Sequence, residues 1–488
     1  MKTILALDQS TSATKALLFD QNGQLLDRET RAHEQHYPQP GWVEHDAEEI
    51  YQNTVLVLQT VLARSQSPAA CLSITNQRET VVVFDRATGK PLHRAIVWQC
   101  RRGEHLCQQL SEAGHDARVH ALTGLKIDTY FPASKIAWMM ENEPEVGAAI
   151  LSGQALIGTI DTYLIYRLTG GAVFATDVTN ASRTLLFDIH RLSWSDELCD
   201  LFGVPSSALA QVRDCNAHFG ETTLGGYLKE PLTICGVMGD SQAALFAEHC
   251  FTVGSAKVTF GTGSSILVNI GDQPTLSQGL VTALAWQIDG KATYAFEGII
   301  NFTGATIAWM RDQLHLIDNP AETQALAQSV PDNGGVYLVP AFVGLSAPYW
   351  QPNAKAAIIG LTPAATREHL VRAALEAIGY QVRDIVDLMS RSAGIELQTI
   401  HGDGGMVSNA FVMQFVADMC RLTVQASSVA ELSAWGAAQA GLLGMSLADD
   451  LDALGEIALK TVNYYPTEET EKIEAWYQGW RAAVQRVL

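Results

Sequence analysis

A short apolar run, Ile4 to Leu7, ends in Asp8 and gives way to the small polar stretch Gln9-Ser10-Thr11-Ser12-Ala13. A second apolar run, Ala16 to Phe19, closes on Asp20, with the turn pair Asn22-Gly23 just beyond. Apolar, polar and apolar segments of this length predict strand, turn, strand. The pattern returns in the second half, where Ala256 to Phe260 meets Gly261-Thr262-Gly263-Ser264-Ser265 and Ile266 to Ile270 follows. Two polar-tipped hairpins, one opening each half, predict a duplicated unit with the boundary near residue 248.

Between the hairpins the pattern alternates strand and helix. Asp46 precedes a helical period from Ile50 to Ala63, with Glu49 at the position of a capping box. Ala70 to Thr75 reads as a buried strand that delivers Asn76-Gln77-Arg78-Glu79-Thr80, and Val81 to Phe84 as another. Residues 103 to 150 read as broken helix, and Thr176 to Arg183 as a polar loop. Leu232 to Met238 is a strand ending at Gly239-Asp240-Ser241-Gln242, with a helix from Ala243 to Glu248. In the second half, 304–313 and 364–390 are helical, and Ile400 to Asp403 runs into a glycine turn before a helix from Asn409. Ile473, Trp476, Tyr477, Trp480, Ala483, Val484 and Val487 space a closing amphipathic helix. Alternating strands and helices give an α/β class.

Composition narrows the functional classes. The chain has 488 residues, so two or three domains are expected, and its net charge is −20 without any Lys/Arg run. Nucleic acid and anionic membranes are therefore poor partners. A polyphosphate site would need metal, backbone dipoles and a few cations. Eight cysteines without CxxC spacing read as reduced thiols, and neither a signal peptide nor a run of eighteen apolar residues is present. A cytoplasmic globular protein is expected.

Candidate chemistry follows from the hairpins. Their loops offer backbone N–H groups and the hydroxyls of Ser10, Thr11, Ser12 and Thr262 to anionic oxygens. Asp8, at a strand end, is placed to hold a divalent cation that bridges phosphates. Walker A, HExxH and GxSxG motifs are missing. A phosphotransferase also needs a carboxylate to take the proton of the attacking hydroxyl. Asp240 suits that task, although a Gly-Asp pair before a helix also reads as a cap. Arg78-Glu79 offers a donor and an acceptor to a polyol, or a structural ion pair. Trp98 and Tyr130 offer an apolar face and a hydroxyl, or plain core.

Longer blocks carry a resemblance. Pro40 to Asp46, Asn76 to Thr80, Ile96 to Arg102, Thr179 to Thr184, Gly344 to Trp350 and Asp403-Gly404-Gly405 closely resemble the glycerol kinases of the FGGY carbohydrate kinase family. The family's first signature is matched at Tyr130, Pro132, Lys135, Ile136, Trp138, Met139, Glu141 and Asn142. Its second is matched over Gly360-Leu361, His369-Leu370, Ala373 and Glu376. The resemblance covers essentially the whole chain. It implies two RNase H-like ATPase domains of the actin, hexokinase and Hsp70 type, 1–248 and 249–488, with an interdomain cleft. It also implies ATP- and Mg²⁺-dependent phosphorylation of a polyol or sugar. Asp240 would be the base, and Arg78, Glu79, Trp98 and Tyr130 would line the polyol pocket. Asp8 would act through Mg²⁺. Thr11, Ser12 and Lys15 would contact phosphates from the first loop and Thr262 from the second. Gly304 and the Gly405-Met406 turn would face the nucleotide. Dimers or tetramers are usual among such enzymes.

The departures are as informative. Ser241 stands where glycerol kinases usually carry Gln, and Ser265 where they usually carry Phe against the glycerol carbons. Both changes remove volume from one pocket, which leaves two substrates in view: glycerol, or a four- or five-carbon polyol or ketose. Ala308 and Ala410 replace a Gln and an Asn near the adenine. Residues 222–231 lack the Gly-Gly-Thr-Arg loop through which some bacterial glycerol kinases bind fructose 1,6-bisphosphate. A non-catalytic ATP-binding regulator is the remaining alternative, and the retained Asp240 argues against it.

Overall fold

The computed structural model describes residues 2–427, 429 and 431–488. Strand Thr3–Gln9 pairs antiparallel with Ala13–Asp20 and parallel with Ala69–Asn76, which pairs parallel with Leu232–Gly239. The second half repeats this. Ser255–Phe260 pairs antiparallel with Ser264–Gly271 and parallel with Thr399–Asp403, which pairs parallel with Thr423–Ser427. The first sheet has six strands and the second seven. A smaller five-stranded sheet, including Val81–Asp85 and Ala155–Thr159, extends the first half.

Position in the sheet explains the patterning. Thr3–Gln9 is central and buried throughout, as parallel-paired strands covered on both faces require. Leu25–Ala32 is the edge strand; it is largely exposed and carries Asp27, Arg28, Glu29 and Arg31, charges that discourage pairing with another chain. Helix Ala47–Arg64 covers this side with Ile50, Thr54, Val57, Leu58 and Val61, one helical stripe. Asp46 caps it by accepting from the amides of Glu48 and Glu49. The expected capping box does not close, because the Glu49 carboxylate accepts instead from the amide of Glu34.

The polar segment 176–183 is not a loop. It forms the end of strand Ala175–Asp177 and the short helix Val178–Ala181, and it is buried. Asp177 makes this possible by capping the helix and accepting from Thr179 and Asn180, so the polarity is satisfied internally.

Helix Leu432–Gly444 is buried nearly all round and packs on helix Asp240–Ala247 and on strands of the first sheet. Glycine permits this approach. A Cβ on Gly436 would lie 1.8 Å from the carbonyl oxygen of Ala243, and one on Gly441 2.3 Å from Ser73 Oγ. One apolar cluster consequently runs from Ile4 and Ala6 to Ala256 and Val258 across both halves. Among the described residues no helix is long and apolar enough to cross a membrane.

Candidate active site

Two adjoining chambers occupy the cleft between the sheets. The first, about 380 Å³, is bordered by Thr11, Gln77, Arg78, Glu79, Trp98, Tyr130, Asp240, Ser241 and Ser265, with Thr259 and Glu297 from the second half. The second, about 360 Å³, is bordered by Asp8, Lys15, Asp240, Ser241, Lys257, Thr259, Asp403 and Glu431. Asp240, Ser241 and Thr259 belong to both, so the chambers meet there.

Arg78, Glu79 and Asp240 arrive from strand ends. Ala69–Asn76 delivers Arg78 and Glu79 just beyond its carboxyl end, where α/β sheets gather functional groups. Leu232–Gly239 delivers Asp240 as the first residue of its helix. The Gly239 amide donates to Thr179 Oγ1 at 2.8 Å, and that hydroxyl donates to Asp177 Oδ2 at 2.6 Å. The buried segment 175–181 therefore fixes the backbone that carries Asp240.

The first chamber rests on a continuous charge series. Arg78 lies 3.2 Å from Asp240 Oδ1 and 3.0 Å from Glu297 Oε1. Arg183 lies 2.6 Å from Glu297 Oε2 and 2.6 Å from Glu79 Oε1. Burial opposes ionisation of Glu297, yet Arg183 and Arg78 hold its carboxyl down to about 2. In Glu79, burial outweighs the same two arginines and raises the carboxyl above its ordinary value. Glu79 also has a left-handed backbone, φ 64°, an arrangement that costs a non-glycine residue.

The aromatic wall is fixed as firmly. Trp98 Nε1 donates to Thr11 Oγ1 at 3.0 Å, and the Trp98 and Tyr130 rings meet edge to face at 5.4 Å. Lys135, fully buried, donates to the carbonyls of Thr129, Tyr130 and Trp98, tying both aromatic segments to one ammonium. Burial lowers its pKa to about 8. Burial raises the Tyr130 hydroxyl well above the usual phenol range, so it stays protonated as a hydrogen-bond donor.

In the second chamber, Lys15 stands 3.3 Å from Asp8 Oδ2 and 2.6 Å from Glu431 Oε2. Burial raises the Asp8 carboxyl to about 6 despite the lysine. Ser12 and Thr262 lie exposed at the two hairpin tips, and both they and Gly304, Gly405 and Met406 fall outside the linings of both chambers. The Thr262 carbonyl accepts from the amides of Thr303 and Ala305 at 2.9 and 3.0 Å, which staples the second hairpin to the start of helix Gly304–Asp312. Thr11 faces the first chamber rather than the second. Sequence reasoning gave no role to Glu297, Arg183, Thr259, Lys257 or Glu431. A lone Glu in the apolar run Tyr294 to Ile300 was the available signal for the first.

Residues 3–247 match the N-terminal domain of the FGGY family of carbohydrate kinases, and residues 256–445 match its C-terminal domain. This chain belongs to that family. The FGGY kinase is 44% identical over 489 residues to glycerol kinase 1 of Thermotoga maritima, covering 99% of each chain. It is 45% identical to the glycerol kinase of Halorhodospira halophila, over 99% of this chain and 96% of that one. The crystal structure of Plasmodium falciparum glycerol kinase with ADP superposes with a TM-score of 0.96 at 36% identity, covering 100% of this chain and 98% of that one. A xylulose kinase from Lactobacillus acidophilus, at 21% identity, has a TM-score of 0.88 over 99% of this chain and 97% of that one, and shares the fold alone. The FGGY kinase is a phosphotransferase with a two-domain α/β fold.

Proposed function

We propose that this FGGY kinase transfers the γ-phosphoryl group of ATP to a primary hydroxyl of glycerol. The observation that carries the reading is the junction: Asp240, Ser241 and Thr259 border both chambers, so a hydroxyl held in one can meet a phosphoryl group held in the other. The glycerol kinases that it resembles over the full chain support glycerol as the acceptor. Arg78 and Glu79 bind the polyol oxygens, while Trp98 and Tyr130 cover its carbons. The Asp240 carboxylate accepts the hydroxyl proton as the new O–P bond forms. Ser12, Lys15 and Thr262 hold phosphate oxygens, and Gly304, Gly405 and Met406 face the rest of the nucleotide. Closure of the two halves excludes water from the junction.

Asp8 offers a buried carboxylate beside Asp240 in the second chamber. Among the described residues no group of three or more His, Cys, Asp or Glu forms a ready-made metal cage. One or two carboxylates completed by phosphate and water suit Mg²⁺, and Asp8 would hold it. When bound, the ion supplies charge neutralisation to the phosphates. An assembly of two or four copies is part of this reading.

The test is ADP release with Mg-ATP across glycerol, dihydroxyacetone, erythritol, threitol, erythrulose and xylulose. The highest kcat/KM should belong to glycerol. A second reading has its own support: Ser265 Oγ is buried beside the first chamber without a hydrogen-bond partner. A longer polyol or ketose could satisfy it with a distal hydroxyl. If that reading holds, a four- or five-carbon compound wins the panel. The double variant Ser241→Gln, Ser265→Phe would then swing preference toward glycerol by about 10–200-fold. An unchanged ratio would remove these two positions from specificity.

A further inference from the structure

The cations of the second chamber are unequal. Four carboxylates border it, Asp8, Asp240, Asp403 and Glu431, against the ammonium groups of Lys15 and Lys257. Lys15 is engaged by Asp8 and Glu431. Lys257 is 2% exposed, yet among the described residues no carboxylate lies within 4.0 Å of its ammonium. Its strand explains where it faces. Ala256, Val258 and Phe260 enter the apolar core, so the two-residue period turns Lys257 and Thr259 to the opposite face, toward the cleft. Lys257 and Thr259 thus border the second chamber from one face of the strand, and Thr259 also borders the first.

Two acidic side chains near this ammonium also lack hydrogen-bond partners. Glu248 follows directly after the helix that Asp240 begins, and neither of its carboxylate oxygens has a hydrogen-bond partner. Burial and the neighbouring Asp403 push its carboxyl far above the ordinary range, against the opposing charge of Lys257. Asp403 pairs in register with Thr259, and its Oδ2 also lacks a partner. A buried ammonium without an ion pair is a costly arrangement that an arriving anion relieves.

We propose that Lys257 is the cation that meets the γ-phosphoryl group during transfer, while Lys15 serves the rest of the polyphosphate. The proposal rests on reading the second chamber as the nucleotide-phosphate site. In the step, the substrate oxygen bonds to the γ-phosphorus and its proton goes to Asp240. The bond from phosphorus to the β–γ bridging oxygen breaks, and its electron pair leaves with ADP. Lys257 stabilises charge on the equatorial oxygens.

The test compares Lys257→Met and Lys257→Arg by calorimetric titration with Mg-ADP and with Mg-bound β,γ-imido-ATP, alongside kcat and thermal melting. The Met variant should bind the imido analogue about tenfold more weakly, with ADP affinity and melting temperature held, and kcat should fall about 100-fold or more. The Arg variant should regain the affinity for the imido analogue and part of kcat. Equal weakening of both nucleotides with a lower melting temperature would make Lys257 structural and overturn the proposal, as would a kcat within about threefold of the parent. If the Met variant does not fold, Lys257→Gln carries the same comparison. Failure of the unaltered protein to bind either nucleotide would instead remove the reading of the chamber.

Discussion

In the first chamber Arg78, Glu297, Arg183 and Glu79 form an unbroken series of ion pairs. In the second, Lys15 is paired with Asp8 and Glu431, while among the described residues Lys257 has no carboxylate within 4.0 Å and Asp403 Oδ2 has no hydrogen-bond partner. The charges of the first arrangement are balanced against one another before any ligand arrives, which suits a neutral polyol that brings no charge of its own. The second is finished by the ligand, which fits a polyanion and its cation. Preorganisation and ligand-completed charge thus sit side by side, sharing Asp240.

The largest expected effect tests the shared residue. Asp240→Asn should lower kcat by about 10²–10⁴-fold while nucleotide affinity, measured by calorimetry, is retained. Activity within tenfold of the parent would take Asp240 out of its role. A regulator without catalysis would show no ADP release in either form.

The next effect separates the chambers through stability. Glu297→Gln leaves Arg78 and Arg183 buried without their common partner and should cost about 3–5 kcal/mol in urea unfolding. Glu431→Gln should cost less than about 1 kcal/mol, because Lys15 keeps Asp8 beside it and is partly exposed. Equal losses would erase the contrast.

The smallest effect is in the pH profile. With its carboxyl raised to about 6, Asp8 takes up a proton as pH falls through that value. It then no longer pairs with Lys15 or binds a cation. kcat/KM for Mg-ATP should therefore fall on the acid side of about pH 6, whereas the Glu297 carboxyl, near 2, stays ionised across the range. A profile flat from pH 5 to 7 would be the contrary result.

Much of this was legible in the residues. The hairpins, the strand ends bearing Arg78 and Asp240, and the closing helix are local patterns, and period and turn chemistry suffice for them. The segment 176–183 was misread because its polarity signalled solvent, whereas Asp177 satisfies it from within. Glu297 and Lys257 escaped for another reason. Each is one charged residue in an apolar strand, and its partner lies in a different half or in a ligand. Only the folded arrangement shows that Glu297 answers two arginines more than a hundred residues away.

The glycine-lined approach of helix Leu432–Gly444 to the first sheet bears on how the gene can be divided. A fragment ending near residue 248 would lack the helix that covers its own sheet, and the complementary fragment would carry that helix with nothing to cover. Split-protein sensors or separately expressed halves cut there should be insoluble alone and recover only when both are made together.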